Sequence, residues 1–492
     1  MEESNDRKAL KSGIWYIVAN FAVEGIGFLT MPFFLRLMTK EEVGDYTNFI
    51  TWVALLLPVL TLSLNTSVTL AKFDFKDKVD DFISSVLVLG SVVTIVCYCI
   101  CFFFQNKIKE WLGFDTLQFN IMFAYIAVAP ALQMLQIKSR LEYKYKLSTF
   151  LSLLSAGAFT FVALLAVLLS NNRLNGRILG FYIPTIVLNL IIYICFLHKS
   201  RKVKIHYWKY GLAISVPFIF HLLAGSLLSS FDKVMINSIV GDEATSLYGV
   251  AYSCATIVNI LWYSLNQAWA PWAFEQMDKN EPEKLKNASK PYMIMFGLIV
   301  ILFLLLVPEV MWILGGNTYV EALDVIPPVI CGFVFQLVYS FYVNIETYEK
   351  KTIFIAIGTI IAAVINIGLN LIFIPMFGYV AAAYTTFAGY VVLFLIHYYF
   401  VKRIGQTYWY DSKFNFGFLA FFSVILIAMK LVYRLIIIRY VIIGILFMLF
   451  VAFFIKNRKE IINAIKTKSF GKVINLMTEF VCISKKEKNT SE

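Results

Sequence analysis

The sequence predicts an all-α polytopic membrane protein of about 14 transmembrane helices, and three observations predict it. Hydrophobic residues make up 60% of the 492 positions and charged residues only 15%. The apolar residues gather into runs of about 20, the length that crosses a bilayer as an α-helix. Lysine and arginine fall in alternate loops between those runs. Placing Arg7, Lys8 and Lys11 in the cytoplasm puts roughly 33 of the 43 basic residues on that side and about 8 opposite, the bias that orients membrane proteins. Orientation therefore accounts for the net charge of +12, and nucleic acid is not an expected partner.

The polar, basic start MEESNDRKALKSGIWY leads into the first span without a small-residue cleavage site, so it reads as a retained helix with a cytoplasmic N-terminus. Spans are expected near 12–35, 46–70, 82–104, 118–138, 148–170, 178–198 and 211–236, then 246–271, 291–314, 322–346, 352–374, 379–400, 414–433 and 435–455. The longer polar segments, His198–Tyr210, Glu275–Lys290 and the tail from Lys456, all fall on the cytoplasmic side. External loops are a dozen residues or fewer, which leaves no external module. The tail is basic and carries an interrupted apolar stripe of Ile461, Ile462, Ile465, Val473, Ile474, Met477 and Phe480, as expected of an amphipathic helix on anionic lipid.

Laying residues near 12–70 on 214–272, a shift of 202, aligns Tyr46 with Tyr248 and Asn65 with Gln267. Both stretches read as a span, a short external loop and a tyrosine opening the next span. Six spans per half return the chain to its starting side, so the halves are expected as two six-helix bundles in a parallel pseudo-twofold arrangement, with a transport cavity between them. The expected organisation is 1–204 and 205–405 for the bundles, 406–455 for two additional spans and 456–492 for the cytoplasmic tail.

Ionisable groups inside spans usually face a bundle interior or a water path, and they mark the functional residues. In the first span Gly13, Asn20 and Gly27 recur every seven residues with Glu24 one turn from Asn20, which makes a small and polar stripe. In the seventh span His221, Gly225, Ser229 and Asp232 form a similar stripe. At about 1.5 Å per residue, Glu24 and His221 lie roughly 15–20 Å from the cytoplasmic end, near the midplane. Glu24, His221 and Asp232 are the ion-coupling residues expected, with H+ or Na+ as the ion; the plainer alternative is a hydrogen bond to a neighbouring helix.

Asp232 and the adjacent Lys233 cannot share a helix face. Lys233 is an expected cavity residue, with an ion pair or snorkelling to the interface as the alternative. Arg36 and Lys40 close the first span and suit an anionic head group, while Glu41, Glu42 and Asp45 beside them also suit a solvated loop. Tyr252, Asn259 and Asn266 recur at heptad spacing, followed by Gln267; such amides and aromatics suit sugar hydroxyls and equally suit helix packing. Asn20 and Asn65 complete the expected substrate cavity. Asn366 and Asn370, one turn apart, read as polar glue between helices.

Catalytic signatures are missing from the sequence. His198, His206, His221 and His397 have no metal-ligand spacing, and neither a phosphate-binding Gly-rich loop nor G-x-S-x-G occurs. Neither enzymatic activity nor a cofactor is expected. The seven cysteines include Cys97, Cys99 and Cys101, whose spacing does not converge on one metal from a helix, and all read as packing residues.

FDKVMINSIVGDEATSLYGVAYS at 231–253, NQAWAPWAFEQM at 266–277 and NIGLNLIFIPMFGYVAAAYTTFAGY at 366–390, together with RLMTKEEVGDY at 36–46, resemble the polysaccharide-transporter (Wzx-like) flippases of the MOP superfamily. The resemblance implies a multi-pass protein of the bacterial inner membrane that moves undecaprenyl-diphosphate-linked oligosaccharide outward, for O-antigen, capsule or exopolysaccharide. It also implies two six-helix bundles forming a V, and alternating access driven, antiporter-like, by an ion gradient. The partners it implies are the lipid-linked oligosaccharide, membrane lipid, H+ or Na+, and a glycan polymerase or ligase. Relatives that flip the peptidoglycan precursor carry several cavity arginines, whereas span 1 here offers Glu24 and a terminal Arg36, which weighs against that substrate. Two other readings remain: a cation-coupled exporter of amphiphilic drugs from the same superfamily, and a glycosyltransferase or polymerase on the same carrier with Glu41, Glu42 or Asp45 as an external acid.

Overall fold

The structure, a computed structural model, describes residues 22–142, 144–200 and 203–456. The expected amphipathic tail and Asn20 lie outside the described residues. Among the described residues there is no strand. Helices α1 (22–37), α2 (Lys40–Leu60), α3 (Val68–Asp74), α4 (Val79–Phe103) and α5 (Gln105–Leu112) lead to α6 (Thr116–Val128), α7 (Pro130–Leu141), α8 (Tyr145–Leu153), α9 (Phe159–Leu169) and α10 (Arg173–Ser200). They are followed by α11 (His206–Ile239), α12 (Asp242–Asp278), α13 (Pro282–Gly315), α14 (Asn317–Val320), α15 (Ile326–Tyr348), α16 (Thr352–Phe377), α17 (Tyr379–Arg403), α18 (Ser412–Val432) and α19 (Ile436–Lys456). Eleven helical segments among the described residues are long and apolar enough to cross a membrane. Helices α1, α11 and α19 occupy the other expected span positions.

Local chemistry sets many of the boundaries. Thr39 opens α2 with a capping box, its hydroxyl accepting from Glu42 N at 3.2 Å while its own N–H donates to Glu42 Oε2 at 2.9 Å. Asp115 and Gln118 do the same for α6. Proline stands in the first turn of α7, α13 and α15, where its missing N–H leaves no bond unmade. Helices α2 and α12 begin at Lys40 and Asp242, the same shift of 202 that the sequence repeat gives.

The second expected span, 46–70, is not one helix. After Pro58 the chain leaves α2, and Leu62 and Ser63 adopt left-handed φ angles of 54° and 47° before a short 3-10 turn and α3. Proline removes a donor and crowds the preceding turn, and past it hydroxyls add bonds to the carbonyls that end α2. Thr61 Oγ1 donates to Leu57 O (2.6 Å), Ser63 Oγ to Pro58 O (3.0 Å) and Thr94 Oγ1 to Leu60 O (3.2 Å). The fourth span is likewise interrupted before Pro130, and the fifth carries a π-helical turn at Leu154–Ala158.

Packing divides the described chain into two compact units: residues up to Gly249 with Ile374–Tyr379, and Val250–Phe373 with residues from Val380 onward. This division lies beyond the repeat boundary expected at 204/205, because α11 packs against α2 within the first unit. The first unit has a core of Leu64, Val68, Phe82, Ile83, Val86 and Met134. In the same unit α9 and α10 approach so closely that a Cβ on Gly180 would stand 2.6 Å from Ala163 Cα, and one on Gly176 2.8 Å from Ala166 O. That spacing is the small-xxx-small contact of membrane helices.

The second unit is built on α15, which is buried nearly all round, as expected of a helix apolar on every face. Around it Trp269 and Tyr292 stack at 4.4 Å and Phe341 and Tyr410 at 4.8 Å. On α18, Leu419, Phe422, Leu426 and Met429 point inward while Phe421, Val424, Ile427 and Leu431 are exposed. An apolar outer stripe of this kind suits lipid, where helices satisfy their own backbone groups.

Candidate functional site

The expected residues take different positions. Glu24 is exposed on α1. His221 lies on α11 among residues whose side chains are outside the description. Asp232 is fully buried on the same helix: the Tyr248 hydroxyl donates to Oδ2, and Lys233 N donates to Oδ1 at 2.8 Å. Lys233 is half-buried. Asn65 Nδ2 donates to Gln133 Oε1 at 3.1 Å, which ties the polar break after α2 to α7. Arg36 bonds its own helix at Pro32 O (3.1 Å), and Lys40 pairs with Glu243 at 2.8 Å. Tyr252 is buried edge-on to Phe333; Asn259 and Asn266 are half-buried and Gln267 is exposed. Asn259 Oδ1 is buried without a hydrogen-bond partner.

Lys40 and Glu243 belong to a closely packed joint between the starts of α2 and α12. A Cβ on Gly44 would lie 1.9 Å from the main-chain oxygen of Asp242, so only glycine allows the helices this approach. Thr47 packs on Gly249 in the same way, its Cγ2 lying 2.8 Å from the Cβ position. Asn237 Nδ2 donates to Asp242 Oδ1 at 2.5 Å, and Asp45 is in hydrogen-bonding contact with Asp242. Nearby, Arg177 lies 3.6 Å over the Tyr46 ring.

At another end of the first unit the basic loops meet in one ion-pair network. Asp80 pairs with Lys138 and with Lys199 (2.5 Å), Asp81 with Lys204 (2.6 Å), and Glu142 with Lys72 (3.2 Å) and Lys144 (2.7 Å). Burial alone would raise the Glu142 carboxyl, but hydrogen bonds from Lys144 and Lys72 and the charge of Lys138 outweigh it and hold the group below the usual carboxylate range. The loops gathered here, carrying Lys72, Lys138, Lys199 and Lys204, are those that alternation of charge assigns to one side.

Two further groups of buried polar residues lie in the second unit. Asn370 Nδ2 donates to Asn366 Oδ1 at 3.3 Å and the Thr385 hydroxyl donates to Asn370 Oδ1; all three residues are buried. Helices α15 and α17 also bury Glu346 against His397, a pairing the sequence reading did not anticipate. An acid at the edge of an apolar run was the available sign of it. Among the described residues no cluster of three or more His, Cys, Asp and Glu has metal-binding geometry.

Residues 9–277 match the family model described as polysaccharide biosynthesis protein, which is more than half of the chain. The chain belongs to that family. Similar family-scale relatives include an Lsg-locus protein of Haemophilus influenzae, 23% identical over 422 residues and covering 81% of this chain and 100% of that one. The capsular polysaccharide biosynthesis protein CapF of Staphylococcus aureus is 23% identical over 412 residues, covering 80% and 100%. Among solved structures, the lipid II flippase MurJ in an inward closed conformation superposes with a TM-score of 0.64 at 15% identity, covering 91% of this chain and 100% of that one. An inward-facing multidrug-resistance transporter of the MATE family gives 0.61 at 12% identity, covering 78% and 96%. This polysaccharide biosynthesis family member thus has an all-α, multi-pass fold like that of the MurJ and MATE structures. Its family match contains Asp232, Tyr248 and the whole Gly44 joint.

Proposed function

We propose that this chain translocates an undecaprenyl-diphosphate-linked oligosaccharide across the bacterial inner membrane by alternating access, with both termini cytoplasmic. One observation carries the reading: a member of a polysaccharide biosynthesis family has, among its described residues, eleven helical segments long and apolar enough to cross a membrane. Glycan built on a lipid carrier must cross the bilayer, and a protein consisting of spans contributes by moving it. Residues 1–204 and 205–405 are read as the two repeats. The residues we propose to contact the sugar and diphosphate are Arg36, Lys40, Asn65 and Lys233 in the first unit and, separately, Tyr252, Asn259, Asn266 and Gln267 in the second; the polyprenyl tail stays in lipid, and a polymerase or ligase takes the product.

An ion gradient drives the cycle. Of the expected coupling residues, Asp232 has the strongest physical support, since a fully buried carboxyl in a membrane helix is costly and usually functional. Glu24, exposed on α1, is suited to contact with substrate or water. The glycosyltransferase reading loses ground because Glu42 is committed to capping α2 and Asp45 to Asp242. The test is deletion of the gene: lipid-linked oligosaccharide should accumulate in the inner leaflet and clear on complementation. Absence of any such intermediate, with altered efflux of cationic dyes instead, would replace this reading with drug export.

A further inference from the structure

Glu346 on α15 and His397 on α17 are both 0% exposed. His397 Nδ1 stands 3.0 and 2.9 Å from the two carboxyl oxygens of Glu346, so one ring N–H position faces both. Tyr339, two turns earlier on α15, stacks on the imidazole with ring centroids 5.5 Å apart and an 18° tilt. On α16 the facing residue is Gly358, where a Cβ would come within 3.1 Å of His397 Nε2. The ring is thus fixed by an acid at one edge, an aromatic face, and glycine at the other edge. Nε2 is buried without a hydrogen-bond partner.

Charge decides how many protons this arrangement holds. Glu346 as carboxylate beside a neutral imidazole leaves one net negative charge out of water, which the low-dielectric interior disfavours. One more proton makes the pair neutral overall, either as carboxylate and imidazolium or as carboxylic acid and imidazole. The groups that bear on the ring are Glu346 and Tyr339 from α15 and the Gly358 backbone from α16; the charge acting on Glu346 is that of His397. Lys351 reaches Glu346 through main chain, its N–H donating to the Glu346 carbonyl at 2.7 Å.

We propose that Glu346 and His397 form a proton-binding site that holds one proton while α15, α16 and α17 are closed around it. The proton is released through Nε2 when water reaches that edge. It comes from water and returns to water, and no bond other than N–H or O–H forms or breaks. Each closing of the three helices therefore takes up a proton and each wetting gives it back. The proton site stands on the pair itself, and only its coupling to cargo movement rests on the transport reading.

The full-length protein in lipid nanodiscs, labelled with 15N-histidine, tests the site directly, with His397 assigned by H397Q. We expect the His397 signal to stay in its paired form between pH 6 and 8 and to shift in E346Q. Titration like an exposed imidazole, near pH 6.5, or a signal indifferent to E346Q, overturns the site. Coupling is tested in vesicles with an imposed pH gradient. The apolar pair E346L/H397L preserves packing where buried ion pairs are exchanged for hydrophobes, and its fold is checked by its unfolding temperature. Gradient-stimulated movement of lipid-linked oligosaccharide is expected to be lost in that variant; unchanged stimulation overturns coupling and leaves transport intact. If the wild type moves no such lipid, the transport reading fails, and the histidine spectrum still decides the proton site.

Discussion

Replacing Gly44 with alanine perturbs a single contact whose geometry is fully specified. The added Cβ would stand 1.9 Å from Asp242 O, against 3.4 Å or more for ordinary contact, so the starts of α2 and α12 must part by about 1.5 Å. Overpacking of this kind costs about 1–3 kcal/mol. Alanine's better helix propensity acts alike on every state in which α2 is helical and cancels from the balance between them. If the cycle contains a state in which these helix ends separate, the overpacking cost shifts the balance toward it by a factor of about 5–150.

The assay is carbodiimide cross-linking of the Lys40–Glu243 pair, whose Nζ and Oε1 stand 2.8 Å apart in this arrangement, read by mass spectrometry as the joined peptide. The wild type should form this amide readily, and G44A should slow the reaction several-fold while the protein remains folded. Equal cross-linking rates with and without G44A, at an unchanged unfolding temperature, would refute the argument that this glycine governs the closure.

Three other substitutions separate structural from functional roles. Y248F removes the hydroxyl donor from buried Asp232 and should cost about 1–3 kcal/mol, read as a lower unfolding temperature, with loss of gradient-driven transport if Asp232 binds the ion. T385V deprives Asn370 Oδ1 of its donor and should cost about 0.6–2 kcal/mol in a membrane setting, while T385S should recover it. At the start of α18, D411A removes both a cap on Phe414 N and the ion pair with Lys290 (2.7 Å) and should cost about 0.5–2 kcal/mol. D411N keeps the cap and should cost less than about 1 kcal/mol, since the pair is partly exposed. The Lys290 ammonium and the Phe414 N–H hold Asp411 below the usual carboxylate range. Its contribution is therefore complete above the ordinary Asp value of about 3.9 and lost as pH falls through the lower value of the folded protein. Unfolding of wild type and D411N should accordingly converge in acid.

Hydropathy and loop charge located the helices because both report the same fact, that unpaired backbone and unpaired charge do not rest in hydrocarbon. They could not reveal the turn at Leu62 and Ser63, since φ angles leave no mark on hydropathy; Pro58 was the only hint. Asp232 stood out as an acid in an apolar run, but its partner Tyr248, sixteen residues on, was legible only as the repeat mate of Tyr46. Glu346 closes a span, where acids ordinarily reach solvent, and His397 has no metal-ligand spacing in the sequence to single it out. Their pairing depends on the packing of two helices 51 residues apart in register, which no local pattern encodes.

The interrupted second span has a consequence for how this protein tolerates change in length. In a continuous helix one inserted residue turns everything beyond it by about 100°, so an insertion within α15, buried on nearly every side, would carry its whole far end to the wrong neighbours. Between Thr61 and Ser63 the chain has already left helical geometry. An added residue there can be absorbed by the turn, and α2 and α3 each keep their own facing. The break divides one crossing of the membrane into two segments whose orientations can be set, and altered, independently.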